Sequence, residues 1–311
     1  MSATMNQIIL QAPAKINLFL EVTGKRPNGY HELATLFAKI SLTDTITLQA
    51  QPAETEQMHL TITGPLGNAL QADDSNLALR AARLFAAHFK LTLHVDIHLE
   101  KRIPMGAGLG GGSSDAGTVL LGLCKLFHQD PRELILPAAK LGADVPLFLY
   151  PETFLKGEGI GEKLTPICAK GPLPWVVLVY PDTHIPTPEV FRRLTLPSQK
   201  NVLTNLSKLD IIIEYLRKGT AATEWQPNLF NRLESAVVPY VQSVRDVKEN
   251  FSALGAYPLM SGSGSTVFAL TPDRKRATDL AGKMTKKGRK VFIVHFGGMN
   301  ENNGNSDSLD G

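Results

Sequence analysis

With 311 residues, 43% of them apolar and 20% charged, the chain can bury a substantial core, and its length favours two domains. A net charge of +3 gives no basis for a nucleic-acid partner, and no apolar run is long enough to span a bilayer. Residues 1–7 lack the basic and apolar regions of a signal peptide.

In chain order, residues 8–10 and 18–20 read as short strands around a turn at Ala12-Pro13-Ala14. Residues 36–40, 45–48 and 59–63 follow as strands, the last two alternating apolar with polar side chains. Leu77, Ala81, Leu84, Phe85 and Phe89 recur at helical spacing, with Asp74, Ser75 and Asn76 as capping side chains. Leu93, Val95, Ile97 and Leu99 alternate with His94, Asp96 and His98, a strand that runs straight into a glycine-rich loop. Helices are expected from about Ser113 to Phe127 and over 131–141, where Pro131 suits a first turn. Beyond a domain boundary between Leu155 and Leu173, residues 176–180 form a continuous apolar strand. Helical patterns cover 210–217, 235–251 and 273–287, and strands 266–270 and 291–295. The basic run Lys283, Lys286, Lys287, Arg289 and Lys290 reads as a helix end and a turn. The Asn, Gly, Ser and Asp tail from 299 to 311 is expected to be disordered. Strands and helices alternate without a regular period, which makes this a two-domain α+β protein. Neither Cys124 nor Cys168 belongs to a metal-ligand spacing, and Cys124 sits in a helical apolar pattern. A buried thiol and a reducing, cytoplasmic setting are expected.

The chemistry concentrates in Pro104-Met105-Gly106-Ala107-Gly108-Leu109-Gly110-Gly111-Gly112-Ser113-Ser114, with five glycines in seven residues. Glycine permits positive φ and close backbone approach, and the helix that follows points its free N–H groups and positive dipole end at the loop. Such a segment cradles phosphate. Gly106-x-Gly108-x-x-Gly111 also matches a dinucleotide fingerprint, but Asp130 follows a helix rather than closing a second strand. A Walker A loop needs lysine where Gly112 stands. Ser113 and Ser114 can cap the helix or donate to phosphate oxygens.

This loop resembles the ATP loop of the galactokinase, homoserine, mevalonate and phosphomevalonate (GHMP) kinase superfamily. Pro13-Ala14-Lys15-Ile16-Asn17-Leu18, Gly142-Ala143-Asp144-Val145-Pro146 and Ser261-Gly262-Ser263-Gly264 resemble further motifs of it, in the expected order. Arg26-Pro27-Asn28-Gly29-Tyr30-His31-Glu32 and Ile185-Pro186-Thr187-Pro188-Glu189-Val190-Phe191 resemble the branch that phosphorylates the 2-hydroxyl of a cytidine-diphosphate-linked acceptor in the non-mevalonate isoprenoid pathway. A GHMP kinase with another acceptor (mevalonate-like, homoserine or a sugar) is the alternative.

The resemblance implies a ribosomal-S5-like N-terminal domain over 1–165, with the ATP loop and the catalytic pair, and a ferredoxin-like domain over 166–298. It pairs Lys15 with Asp144, the candidate base; each would otherwise be an ordinary, partly exposed charge. It places Pro104 to Ser114 on ATP, with Lys101 and Asn76 near the adenine. Asn17, Tyr30, His31, Thr187, Phe191, Gly262, Ser263 and Gly264 are placed on the acceptor, with Phe191 stacking on cytosine. Mg2+ is expected beside ATP without an assigned protein ligand, Ser114 and Asp115 being the candidates. No nucleic acid or membrane partner is expected, and the chain should be a monomer or weak homodimer.

Overall fold

The computed structural model describes residues 6–67 and 70–297, so the tail from 299 lies outside the described residues. Strands β1 (Asn6–Lys25), β2 (His31–Pro52) and β3 (Gln57–Thr63) come first, then helix α1 (Leu77–Phe89) and strand β4 (Leu93–Glu100). Helix α2 (Gly111–Leu126) leaves the glycine-rich loop, followed by the single turn α3 (Ile135–Ala138). Strands β5 (Phe154–Gly159), β6 (Lys163–Ile167) and β7 (Trp175–Tyr180) precede helices α4 (Thr187–Arg193), α5 (Gln199–Lys218) and α6 (Ala222–Trp225). The chain continues with β8 (Phe230–Asn231), α7 (Glu234–Val237), α8 (Gln242–Ala253), β9 (Leu259–Met260), β10 (Val267–Thr271), α9 (Arg274–Met284) and β11 (Lys290–His295). None of these helices is long and apolar enough to cross a membrane.

Several elements differ from the sequence pattern. Ala12-Pro13-Ala14 makes no turn: both flanking strands belong to the continuous β1, and residues 36–40 and 45–48 belong to one β2. Helix α2 starts two residues before Ser113, with Gly110 in the left-handed region as its N-cap. Residues 131–141 form a 3-10 turn (Pro131–Leu134) and α3 rather than one helix. The expected helix 235–251 is two, α7 and α8, with Pro239 in the gap, where proline removes a backbone donor.

The described residues form two compact units. One comprises the chain up to Ala14, Thr43–Met105 and Gly110–Pro151; the other comprises Lys15–Leu42, Gly106–Leu109 and the chain from Glu152 onward. In the first, β4 pairs parallel with β3 and antiparallel with Thr45–Pro52 of β2. Ile46, Leu48, Val95, Ile97 and Leu99 meet Ala82, Phe85, Val119 and Leu123 of α1 and α2 in one core. Cys124 is buried at its edge, and burial, reinforced by Asp130 and Glu133, pushes its thiol up to about 12.

In the second unit, β5 pairs with residues 33–38 of β2 and with β6, and Phe19 and Leu20 of β1 pair with Phe230 and Asn231 of β8. Here too β11, β7, β10 and β9 form an antiparallel sheet in that order. Numbered by sequence, the strand order is 4-1-3-2 with α8 and α9 in the connections, which is the ferredoxin-like arrangement.

Gly117 shows how tightly the first unit is packed. A Cβ there would lie 2.6 Å from the Phe148 Cβ and 3.2 Å from the Val145 carbonyl oxygen. Gly117→Ala is therefore expected to cost about 1–3 kcal/mol through overpacking, read as a lower urea midpoint with an unchanged slope.

Candidate active site

In the second unit, Lys15 and Asn17 lie inside β1, 5% and 1% exposed. Burying an ammonium and an amide is costly unless their hydrogen bonds are met. The Lys15 Nζ donates to the Asn17 Oδ1 at 2.8 Å, the Asn17 Nδ2 to the Thr35 Oγ1 at 2.8 Å, and that hydroxyl to the Phe19 carbonyl at 2.7 Å. This relay fixes the lysine head, which also lies 5.4 Å from the Phe37 ring centroid.

The first half of the glycine loop is sewn to the same group. The Lys15 amide donates to the Leu109 carbonyl at 2.9 Å, and the Ser261 hydroxyl to the Gly108 carbonyl at 2.9 Å. Gly108 has φ +75, and a Cβ on it would stand 2.1 Å from the Ser261 carbonyl oxygen, so no other residue fits. Gly262 also brings its backbone near the lysine: a Cβ there would lie 3.3 Å from the Lys15 Nζ.

The Gly262 turn is held by Asn231, a residue to which the sequence attached no role. Its amide donates to the carbonyls of Met260 (2.7 Å) and Gly262 (2.8 Å). Glu234 accepts from the Met260 amide at 2.8 Å and pairs with Lys248 at 2.5 Å, while Arg232 forks onto the buried Glu21 at 2.7 and 2.8 Å.

The residues expected on the acceptor base also converge in this unit. His31 stacks on Phe191, ring centroids 4.9 Å apart at 24°, and the Thr187 hydroxyl lies 2.8 Å from that of Ser263. Burial, helped by nearby Lys25, lowers the His31 pKa below its ordinary value and favours the neutral ring. Tyr30 is 59% exposed beyond the Gly29 turn, where φ is +88.

In the first unit, Gly110 to Ser114 open α2. Neither Ser113 nor Ser114 caps the helix, because the N-cap is Gly110. The buried Ser114 Oγ and Asp115 Oδ1 have no hydrogen-bond partner there. The Gly142 turn that carries Asp144 lies against this helix start, with a Gly142 Cβ position 3.8 Å from the Ser113 Oγ. The start of α1 lies there too: a Cβ on Gly112 would lie 3.7 Å from the Leu77 side chain, and the Asn76 Oδ1 caps α1 by accepting from the Ala78 amide at 2.9 Å.

Lys101 is 2% exposed, and its ammonium donates to Asp44 and, at 2.8 Å, to Asp115. Asp44 also accepts from the Arg102 and Ile103 amides at 2.6 and 2.9 Å. The trio underlies the loop, since a Cβ on Gly111 would lie 3.0 Å from the Lys101 Nζ. Burial raises the Asp115 pKa despite Lys101, and Asp44 adds to the rise. Burial works against the charged Lys101, but the two carboxylates outweigh it and raise its pKa. One ammonium between two buried carboxylates favours retaining a proton on Asp115.

The GHMP kinase N-terminal domain model matches residues 76–152 and the GHMP kinase C-terminal model residues 212–290. A Ralstonia pickettii protein named 4-diphosphocytidyl-2-C-methyl-D-erythritol kinase is 42% identical over 262 residues, 83% of each chain. A Burkholderia cenocepacia protein of the same name is 38% identical over 278 residues, 88% of each. The chain belongs to this kinase family. A crystal structure of a 4-(cytidine 5'-diphospho)-2C-methyl-D-erythritol kinase superposes with a TM-score of 0.74 at 36% identity, covering 94% of this chain and all of that one. Homoserine kinase from Cytophaga hutchinsonii, at 16% identity and a TM-score of 0.77, shares the fold. Within the family, then, the α+β two-domain architecture carries small-molecule kinase activity.

Proposed function

We infer that this chain is an ATP-dependent kinase that transfers the γ-phosphoryl group to the 2-hydroxyl of 4-diphosphocytidyl-2-C-methyl-D-erythritol, an isoprenoid precursor. The observation that carries the choice of acceptor is the His31–Phe191 stack, built from two motifs far apart in sequence; Thr187 on the same helix α4 meets Ser263 of a third motif. A neutral His31 can present one ring nitrogen as donor and the other as acceptor to a cytosine edge. Phe191 offers a face for the base, with Tyr30 at the rim.

Asp144 takes the proton of the acceptor hydroxyl as its oxygen attacks the γ-phosphorus, and the bond to the bridging oxygen of ADP breaks. Lys15, its head fixed by Asn17, holds the developing alkoxide and the transferring oxygens by charge. The N–H groups of residues 106–114 bind the nucleotide phosphates, with Lys101 and Asn76 assigned to the adenine end. Gly262, Ser263 and Gly264 bring backbone close to the acceptor's phosphates. Mg2+ would neutralise phosphate charge; the orphaned Ser114 Oγ is a hard oxygen donor suited to it, and Asp115 Oδ1 would be one once Asp115 gives up its proton. In this division of labour residues 1–165 supply the ATP loop and the catalytic pair, and 166–298 the ferredoxin-like part. A cytoplasmic monomer or weak homodimer completes the proposal, two free cysteines being suited to a reducing compartment.

The test is ADP release with ATP, Mg2+ and the cytidine-linked acceptor; no turnover by folded protein, with turnover on mevalonate or homoserine, would replace this acceptor. Phe191→Ala should raise the KM for the acceptor by about 5- to 150-fold, the equivalent of roughly 1–3 kcal/mol of base stacking. The KM for ATP should not move.

A further inference from the structure

The outer face of the first unit's sheet, opposite the side packed on α1 and α2, carries a side-chain group that phosphoryl transfer does not use. Alternation along β3 puts Gln57, His59, Thr61 and Thr63 on it, and along β4 His94, Asp96, His98 and Glu100. The parallel register sets His59 directly across from Asp96 and Gln57 across from His94.

We propose that His59, His94 and Asp96 form a binding site for a zinc-class divalent transition-metal ion. One donor atom from each lies within 4.8 Å of the other two. The His94 Nε2 and the Asp96 Oδ1 are 3.3 Å apart, and the His59 ring meets the His94 ring edge-on at 5.8 Å and 79°. Tetrahedral zinc, with bonds of about 2.0–2.1 Å, holds neighbouring donors roughly 3.3–3.5 Å apart. One pair already stands at that separation. The third donor, within 4.8 Å of the other two, needs to move by no more than about 1.5 Å, a side-chain adjustment open to the exposed His59.

Donor chemistry selects the ion. Two imidazoles and a carboxylate suit zinc and its neighbours in the first transition row, whereas Mg2+ and Ca2+ prefer oxygen ligands. With both imidazoles neutral the set carries one negative charge, and a fourth position stays open for water. The strand register brings His59 across from Asp96 and adds a second imidazole to the His94–Asp96 pair. His98, the next histidine along this face, lies 2.9 Å from the Thr63 hydroxyl and is outside the set. The ion would cross-link β3, the edge strand, to β4.

The test is calorimetric titration of the metal-stripped full chain with Zn2+ in a non-coordinating buffer. One equivalent should bind, and His59→Gln and His94→Gln should each weaken it at least tenfold, while His98→Gln should not. Co2+ should give a visible absorption band in the wild type and in His98→Gln that both ligand variants lose. Circular dichroism of each variant checks that the fold is kept. No bound equivalent, or equal affinity in all four proteins, would overturn the site.

Discussion

Asp144→Asn is expected to lower kcat by about a thousandfold, within the 10²–10⁴ range for losing a positioned proton acceptor. The substitution keeps the shape and hydrogen-bonding capacity of the side chain and removes only its charge and basicity. The Gly142 turn meets the start of α2 near Ser113, and asparagine matches aspartate in volume, so the fold should survive. The loss should fall on kcat and kcat/KM alike, with the KM for ATP within about threefold of wild type, because the missing interaction forms only as the proton moves. Steady-state ADP release, read beside a thermal melt, measures this. Retention of a tenth or more of wild-type kcat by a folded Asp144→Asn would take the base away from this residue. Lys15→Ala provides the matching loss of the cation.

Lys101→Met is expected to give the largest loss of stability. The ammonium is buried between Asp44 and Asp115, and methionine fills its volume while leaving two carboxylates in the interior. Removing one partner from a buried charge group costs about 3–5 kcal/mol, enough to take most of a domain's margin. The pH dependence carries a definite sign. Without the ammonium the Asp115 carboxylate, already disfavoured as an anion by burial, is further disfavoured, so its folded-state pKa lies above the unfolded one. The folded state then binds more protons than the unfolded, and stability recovers as pH falls from 8 towards 5.5. Lys101→Met combined with Asp115→Asn should regain part of the loss at pH 8, leaving Asp44 on the two backbone amides it already accepts from. Urea unfolding at both pH values reads this; a single variant within 1 kcal/mol of wild type would show that the ammonium does not hold the trio together.

Much of this architecture was legible in the chain, and the misses have physical causes. The alternation of residues 93–99 marks β4 because one face of that strand meets the core and the other does not. The same rule fails on β1, where every residue from Ala12 to Val22 is buried and Ala12-Pro13-Ala14 imitates a turn ahead of the interior polar groups Lys15 and Asn17. Their cost is met through Thr35 of β2, which accepts from the Asn17 amide and lies eighteen residues along the chain, beyond any local window. Pro239 did signal the gap between α7 and α8, but an amphipathic pattern on both sides masked it. The loop before α2 was legible because its glycines admit the positive φ that Gly106, Gly108 and Gly110 adopt. Asp44 and Asn231 were not. Asp44 gains its meaning only once Lys101 is folded against it, and Asn231 acts on carbonyl oxygens, which every residue possesses.

The division of the chain between its two units has a consequence for its assembly. Each unit draws on three separate stretches of sequence, and the four residues Gly106–Leu109 belong to a different unit from those on either side. Phe19 finds its strand partner in Phe230, and the Lys15 group its neighbouring backbone in Gly262. Contacts so distant along the chain require large loops to close before they repay the entropy, so folding should be slow for a protein of this size. During synthesis β1 must wait, its buried lysine unmatched to the turn at Gly262, until nearly the whole polypeptide has left the ribosome.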